Sequence, residues 1–330
     1  SSPTRCPPPR PRRAQMLSRA RYLATGAAAG ALATSVLSEL RERAPLGKTA
    51  LPLVRLCGQV ETPSGTPSIS GLSLSRAEPA LSAAFRMRSP AVVLEINSPG
   101  GSPAQSALLH ARLQQLKKEY PETKLLCYCT EVCASGGYYI ASACDEIHVL
   151  PSSIIGSIGV VSPSLGLVEL LKNWGIEDRT LTAGSSKTGD SPLRPRDAKE
   201  VQKKTRLLEE LHDDFKAKVT AARGARLKHA EAAAYARKAG DYKSWSERRE
   251  ALFDGSVFAG KKAVEFGLAD GLYDDLVVSL KERFGPDIRI CELKTRQGFF
   301  ERLQALQVSM AATQVASYAS AARAELARQL

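Results

Sequence analysis

The sequence predicts an α/β protein organised around a parallel or mixed sheet. Two observations carry that expectation. Short β-rich runs alternate with helical stretches between residues 91 and 150, in the order βαβαβ. The strand-like runs end at glycines, prolines or small polar residues, where a chain can turn abruptly into a helix. Such an order implies right-handed crossovers that cover the sheet with helices.

Taken in turn, Thr49–Gly58 is short, apolar and closed by glycine, which suits a strand. Val60–Leu72 is rich in Ser, Pro and Gly and reads as loop. Glu78–Arg88 has helical character, and Ala91–Ile96 is a β-rich run ending at Asn97-Ser98-Pro99-Gly100-Gly101. Ser102–Glu119 places Ala107, Leu108, Ala111, Leu113 and Leu116 at helical spacing. Lys124–Tyr128 is a second strand, Ser135–Cys144 a Gly-containing helix, and Glu146–Leu150 a third strand stopped by Pro151. A strand is expected just before Lys187. Arg196–Leu227 reads as a long amphipathic helix with Leu208, Leu211, Phe215 and Val219 on its apolar side. Gly298–Leu330 is a further helical stretch, with Phe299, Phe300, Leu303, Leu306 and Met310 to one side.

The chain has 330 residues, enough for about two domains or one large one. Apolar residues make up 43% and charged residues 24%, which excludes a wholly disordered or polytopic membrane chain. The net charge of +12 is concentrated: residues 1–48 hold nine basic and two acidic side chains, a surplus of +7. The remainder carries +5, with no zinc-finger spacing and no basic–aromatic array, so nucleic acid is not expected as a partner. Residues 1–47 read as a targeting segment, since residues 1–38 contain six arginines and no acid. An organellar transit peptide ranks first, with the mitochondrion as destination and a plastid or secretory membrane as alternatives. The run 22–37 is short for a membrane anchor, and a span needs about 20 apolar residues. An imported protein can keep such an anchor, so membrane association through the N-terminus is compatible with import.

Cys127, Cys129, Cys133 and Cys144 cluster at a spacing that fits no standard zinc pattern. Cys127 and Cys129 would share one face of a strand, which suits small buried side chains better than a metal or disulfides.

Three segments could carry chemistry. Asn97–Gly101 lies between strand and helix, where exposed backbone N–H groups can stabilise a developing oxyanion, although an ordinary tight turn would look the same. Cys133-Ala134-Ser135-Gly136-Gly137 sets a serine among small residues at a strand-to-helix junction. That suits a nucleophile and equally suits a helix cap. A serine needs a base. None of His110, His148, His212 or His229 lies where it would meet Ser135, and His148 looks like a packed core residue. Lys187, in a stretch of small residues, is the other candidate, since burial can turn a lysine into a base.

These pieces occur in a recognisable order. VVLEINSPGGS (92–102), EVCASGGYYIASACDEIHVLPSSIIGSIGVV (131–161), LTAGSSKTGDSPLRP (181–195) and DGSVFAGKKAVEFGLADGL (254–272) resemble the signal peptide peptidase A (SppA) family, serine peptidase family 49. The short, SohB-like members are the most similar. The resemblance covers about residues 50–285. It implies a ClpP/crotonase-like fold of repeated ββα units, a peptidase domain over 48–285, and a helical extension over 286–330. It also implies a serine endopeptidase with a Ser/Lys dyad: Ser135 as nucleophile, Lys187 as general base, Gly101 and Gly136 as oxyanion-hole donors with Gly100 as the alternative first donor, and Ser157 in support. Amide hydrolysis would pass through an acyl-enzyme and needs no metal or other cofactor. The substrates implied are apolar, extended peptides, such as cleaved signal or transit peptides or membrane-protein fragments. Family members form rings or domes, so a homo-oligomer is expected, with serine and lysine coming from neighbouring subunits in some short members. The chain departs from the family pattern at Ser185, where a bulky residue is usual, and at Ser256, where arginine is common. The alternative function is a catalytically silent scaffold or quality-control assembly protein. An acyl-CoA enzyme of the same fold is disfavoured by Ser135 and Lys187.

Overall fold

The alternation of strands and helices closes into one eight-stranded sheet in the computed structural model, which describes residues 49–62, 71–184, 186–239 and 251–295. One compact unit runs from Leu51 onwards; the other, Ser1–Ala50, falls almost wholly outside the described residues, and so do the expected targeting segment and the run 22–37. Among the described residues no helix is long and apolar enough to cross a membrane.

The strands are β1 (Ala50–Cys57), β2 (Ala91–Ser98), β3 (Lys124–Ala134), β4 (Glu146–Val149), β5 (Ile154–Gly156), β6 (Val257–Ala259), β7 (Gly271–Leu272) and β8 (Arg289–Leu293). The helices are α1 (Leu74–Arg86), α2 (Pro103–Glu119), α3 (Gly136–Ala141), α4 (Val168–Asn173), α5 (Ala198–Arg223), α6 (His229–Ala239), α7 (Gly260–Glu265) and α8 (Leu276–Phe284). The strand order is β6-β5-β3-β2-β1-β8, with β4 pairing β3 and β7. Every pairing from β1 through β5, and β4 with β7, is parallel; β5 with β6 is antiparallel. This is the mixed α/β architecture that the alternation of strands and helices predicts.

Period-two alternation sorts the strand side chains between two cores. Val54, Leu56, Val92, Leu94, Ile96, Leu125, Cys127 and Cys129 face the helices α1–α3. Leu51, Leu53, Ala91, Val93, Leu126 and Tyr128 face the other way and meet Leu280 of α8. A parallel sheet covered on both faces explains why these runs are mostly apolar on both sides, with the paired Arg55 and Glu95 as charged interruptions. Cys127, Cys129, Cys133 and Cys144 are buried free thiols.

Four expectations change. In α2 the inward residues are Leu109, His110, Leu113 and Leu116, while Leu108 and Ala111 point out, because the helix starts at Pro103 with Ser102 as its cap. No strand forms before Lys187: residues 174–184, exposed except for the half-buried Asp178, pair with no strand of the sheet. Only the C-terminal part of the long helix is buried, through Phe215, Val219 and Arg223. Residues 289–293, expected within a helical extension, form β8 beside β1. The apolar positions Phe299 to Met310 lie outside the described residues.

The end of α5 is fixed by a buried ion pair that periodicity could not reveal. Arg223, 2% exposed, donates from Nε and Nη2 to the Gly267 carbonyl and pairs with Asp270 at 2.5 Å. Asp270 also accepts the Ile147 N–H and pairs with Arg226. Burial alone would raise the Asp270 carboxyl pKa; Arg223, the Ile147 N–H and Arg226 together hold it below its ordinary value. Arg223→Ala leaves that carboxylate buried without its nearest cation, and a loss of about 3–5 kcal/mol in urea unfolding is expected. A carboxyl whose folded pKa is depressed contributes fully above 3.8 and less as pH falls through its folded value. Below about pH 4 wild type should therefore lose stability more steeply than Asp270→Asn; parallel pH profiles would contradict this.

Candidate active site

The site grows from an irregularity in β3. Ile96 pairs with Cys129 and Ser98 with Cys133, so three residues of β3 bulge opposite one of β2. The groups this displaces find side-chain partners. Asn97 Oδ1 accepts the Val132 N–H at 3.2 Å. The Ser153 hydroxyl lies 2.6 Å from the Thr130 carbonyl and accepts the Leu150 N–H. Tyr273 donates its hydroxyl to the Cys129 carbonyl at 3.0 Å. Beyond the bulge β3 exchanges partners, from β4 along Leu126–Cys129 to β5 along Val132–Ala134.

Ser135 follows directly, with φ 51° and ψ −124°. A non-glycine residue there costs on the order of 1–3 kcal/mol and persists only where its surroundings over-determine it. Here its N–H donates to the Gly156 carbonyl at 2.8 Å and its own carbonyl accepts from Tyr139. Its side chain makes no capping hydrogen bond to α3, so the reading of Ser135 as a simple helix cap does not hold. Ser157 shares the strain, with φ 51°, and donates its N–H to the Ser256 carbonyl at 2.7 Å.

Two glycine segments meet beside Ser135. A Cβ on Gly100 would lie 2.5 Å from the Gly136 nitrogen and 2.7 Å from Ser135 Cβ. A Cβ on Gly136 would lie 3.3 Å from the Gly101 nitrogen. The 100–102 strip is pinned to Val60, whose N–H donates to the Gly100 carbonyl and whose carbonyl accepts the Ser102 N–H. Gly100 gives its N–H to Ser98 Oγ at 3.2 Å. The N–H groups of Gly101 and Gly136 have no acceptor among the described residues. Of the two glycines considered for the first donor, Gly101 is therefore the one free to donate.

These groups lie in a cleft of about 810 Å³, whose lining includes Ser135, Gly101, Gly136 and Ser157. Its apolar walls are Val160 and Val161 after β5, Leu211 and Phe215 of α5, and Ala104 and Ala107 of α2. Asp214 and Asp254 are the charged lining residues, and no histidine, lysine or arginine stands among those described. Asp214 accepts the Tyr139 hydroxyl at 2.6 Å. Burial raises the Tyr139 phenol pKa and the carboxylate adds to the shift, so the phenol remains a donor. His110 packs edge-on against Tyr139, and burial depresses its pKa to about 4, keeping it neutral. His148 stacks on Tyr128, and the His212 ring lies 3.2 Å from the Ile158 carbonyl. Ser98 and Tyr139 lie in the segments singled out above, but nothing there assigned a role to them or to Asp214. Their roles depend on contacts between β2, α3 and α5, although the run of small residues at 134–137 marked where such contacts would be close.

Lys187 is not in the cleft. It sits on an exposed turn between α4 and α5, and its ammonium has no hydrogen-bond or ion-pair partner among the described residues. Ser185 lies outside the described residues. The turn belongs to an excursion over 160–197 that leaves large apolar side chains in solvent, including Val161 at 83%, Trp174 at 75% and Leu181 at 96% exposure. Helix α4 has no buried residue.

Comparison with known proteins places this geometry. A model described as peptidase family S49 matches residues 117–245, a span that encloses Ser135, Ser157 and Lys187. The Na(+)/H(+) antiporter NhaA of Brucella melitensis is 38% identical over 256 residues, covering 77% of this chain and 32% of that protein. The putative signal peptide peptidase SppA of Enterococcus faecium is 31% identical over 206 residues, covering 62% of this chain and 54% of the other. The probable protease SohB of Haemophilus influenzae is 36% identical over 125 residues, 38% of this chain and 35% of its own. This chain spans about a third of the antiporter-named relatives and about half of the SppA relative. With Ser135 inside the matched segment and relatives of the SppA and SohB kind, residues 117–245 of this chain form a peptidase family S49 segment.

Proposed function

We propose that the protein is a serine endopeptidase acting through a Ser/Lys dyad whose two members come from adjacent copies of the chain. The observation that carries this reading is the split site: Ser135 stands ready in a cleft without a base, and an unpartnered Lys187 stands on an exposed apolar excursion. A second copy would bring the lysine to the serine and cover the apolar surface together. Lysine acts as a base only when desolvation disfavours its charge, and the cleft of a neighbouring copy would supply that.

In the reaction, neutral Lys187 takes the Ser135 proton as Oγ attacks the substrate carbonyl. The Gly101 and Gly136 N–H groups receive the oxyanion. The lysine then protonates the leaving amine, and water repeats the sequence on the acyl-enzyme. Ser157, beside Ser135 in the cleft, supports the lysine's orientation. The apolar walls favour extended apolar peptides, for which cleaved signal or transit peptides and membrane-protein fragments are the natural class. The basic, acid-free stretch 1–38 supports action at the mitochondrion, with the N-terminus as the point of membrane association. Peptidase activity rather than the cation antiport of the Brucella relatives is proposed because the family S49 match encloses Ser135 and Lys187, while this chain spans only 32% of the antiporter-named protein.

The second reading is a catalytically silent scaffold, favoured by the same absence of Lys187 from its own cleft. The two are separated by cleavage of a quenched apolar peptide library, with mass spectrometry of Ser135. An acyl adduct on Ser135 supports the enzyme; an assembled protein with neither adduct nor cleavage supports the scaffold.

Ser135→Ala and Lys187→Ala should each fold, assemble and lose hydrolysis by several orders of magnitude. Co-expressed in equal amounts, the two inactive variants should recover about a quarter of wild-type activity, since one site in four pairs an intact serine with an intact lysine in a cyclic assembly. No recovery from mixed assemblies would place both residues in one subunit. The rate should rise on an alkaline limb as the base loses its proton, and a flat profile would exclude a lysine base.

A further inference from the structure

The Lys187 turn is held in a way its surroundings do not account for. No core lies beneath it, since α4 buries nothing and residues 181–184, 186 and 187 are exposed. Packing therefore cannot fix it, yet the polar side chains around it are engaged. Arg194 donates from Nε to Asp178 at 2.6 Å, from Nη2 to the Thr180 carbonyl at 2.7 Å, and from Nη1 to the Thr188 hydroxyl at 3.1 Å. Asp178 also accepts the Thr180 N–H at 2.9 Å and the Thr180 hydroxyl at 2.5 Å. Across the turn, Ser186 bonds Glu200 at 2.9 Å and Lys203, and Asp190 pairs with Lys204. The neck of the excursion is closed by the Leu167 N–H on the Pro192 carbonyl at 2.7 Å.

We infer that Arg194 is a positioning residue for Lys187: its guanidinium ties the turn, through Thr188, to the Asp178–Thr180 arm and so presents the lysine outward in one orientation. The inference rests on the dyad reading above and adds a residue to it. Arg194 is suited to this because it joins three chain positions at once. A planar guanidinium offers donors in several fixed directions, which an ammonium cannot reproduce. An isolated surface pair would hold little, but a network with a charged donor in several bonds and a nearly covered acceptor is the exception. The Asp178 side chain is only 10% exposed. A general base misplaced by about 1 Å loses on the order of 100-fold in rate, so a clamp one residue from Lys187 bears directly on turnover.

The test uses the full chain and an apolar fluorogenic peptide, with assembly followed by light scattering. Arg194→Ala is expected to assemble, keep KM within about two-fold and lose roughly 10- to 100-fold in kcat. Arg194→Lys should not restore it, whereas millimolar guanidinium chloride should restore part of the rate to Arg194→Ala and none to Lys187→Ala. If Arg194→Ala fails to assemble, Thr188→Val, which removes only the bond beside Lys187, should assemble and lose several-fold in kcat at unchanged KM. Wild-type kcat in assembled Arg194→Ala or Thr188→Val, with Lys187→Ala inactive, overturns the clamp and leaves the dyad standing. Full activity in Lys187→Ala overturns the dyad, and the clamp with it.

Discussion

The three-residue bulge in β3 is the constraint on which the site depends. A strand that stayed in register with β2 would carry Ser135 past the glycine strip at 100–101 instead of turning beside it. The bulge is kept because Asn97 and Ser153 supply hydrogen-bond partners to backbone groups that lose their ladder bonds, and Tyr273 holds the Cys129 carbonyl behind it. An unmet buried backbone group costs about as much as a lost hydrogen bond, so these side chains decide where the bulge can sit. The positive φ of Ser135 follows from it. The residue is gripped by Gly156 on one side and by the first turn of α3 on the other, and the hydroxyl is left with no capping role.

The glycines make sense in this setting as distances rather than as flexibility. Gly100, Gly136 and Gly137 each sit where a Cβ would clash with backbone or with a buried serine: Gly137 against the Ser98 carbonyl, Gly136 against Ser106, Gly100 against Gly136 itself. Close approach of β2, β3 and α3 is what brings two unbonded N–H groups to one point. Asp214 and Tyr139 then form a polar edge on an otherwise apolar cleft, with the buried, neutral His110 as packing beneath it.

Much of this was legible in the sequence, for identifiable reasons. The strands of the sheet core announce themselves because both faces are buried, so Val92–Leu94 and Leu125–Cys129 are apolar in succession. The junctions at 97–101 and 133–137 stand out because only small residues tolerate such contacts. The pair Cys127 and Cys129 was placed on one face by period two alone. What failed was whatever depended on a partner distant in sequence. The inward face of α2 turned on where the helix begins. The strand expected before Lys187 pairs with no other strand, whereas β8 found a partner in β1. The Arg223–Asp270 pair and the Arg194 network join residues 47 and 16 positions apart and leave no periodic trace. The choice between Gly100 and Gly101 is the local exception: it turned on the Ser98 hydroxyl, two residues away, whose direction is set by the turn.

The two members of the proposed dyad are thus held by different physics. Ser135 is built into the most buried part of the molecule and shares the cooperative stability of the sheet. Lys187 stands on a segment with no core of its own, fixed by hydrogen bonds and ion pairs that, the nearly covered Asp178 apart, lie where salt can screen them. On the proposed reading, whatever loosens the excursion would act on the base without touching the nucleophile. A peptidase so arranged would be fully folded and still idle, because its apolar excursion and its lysine would find their place only against another copy. Control of activity would then lie in assembly rather than in folding, and a free subunit would carry a prepared nucleophile with nothing to activate it.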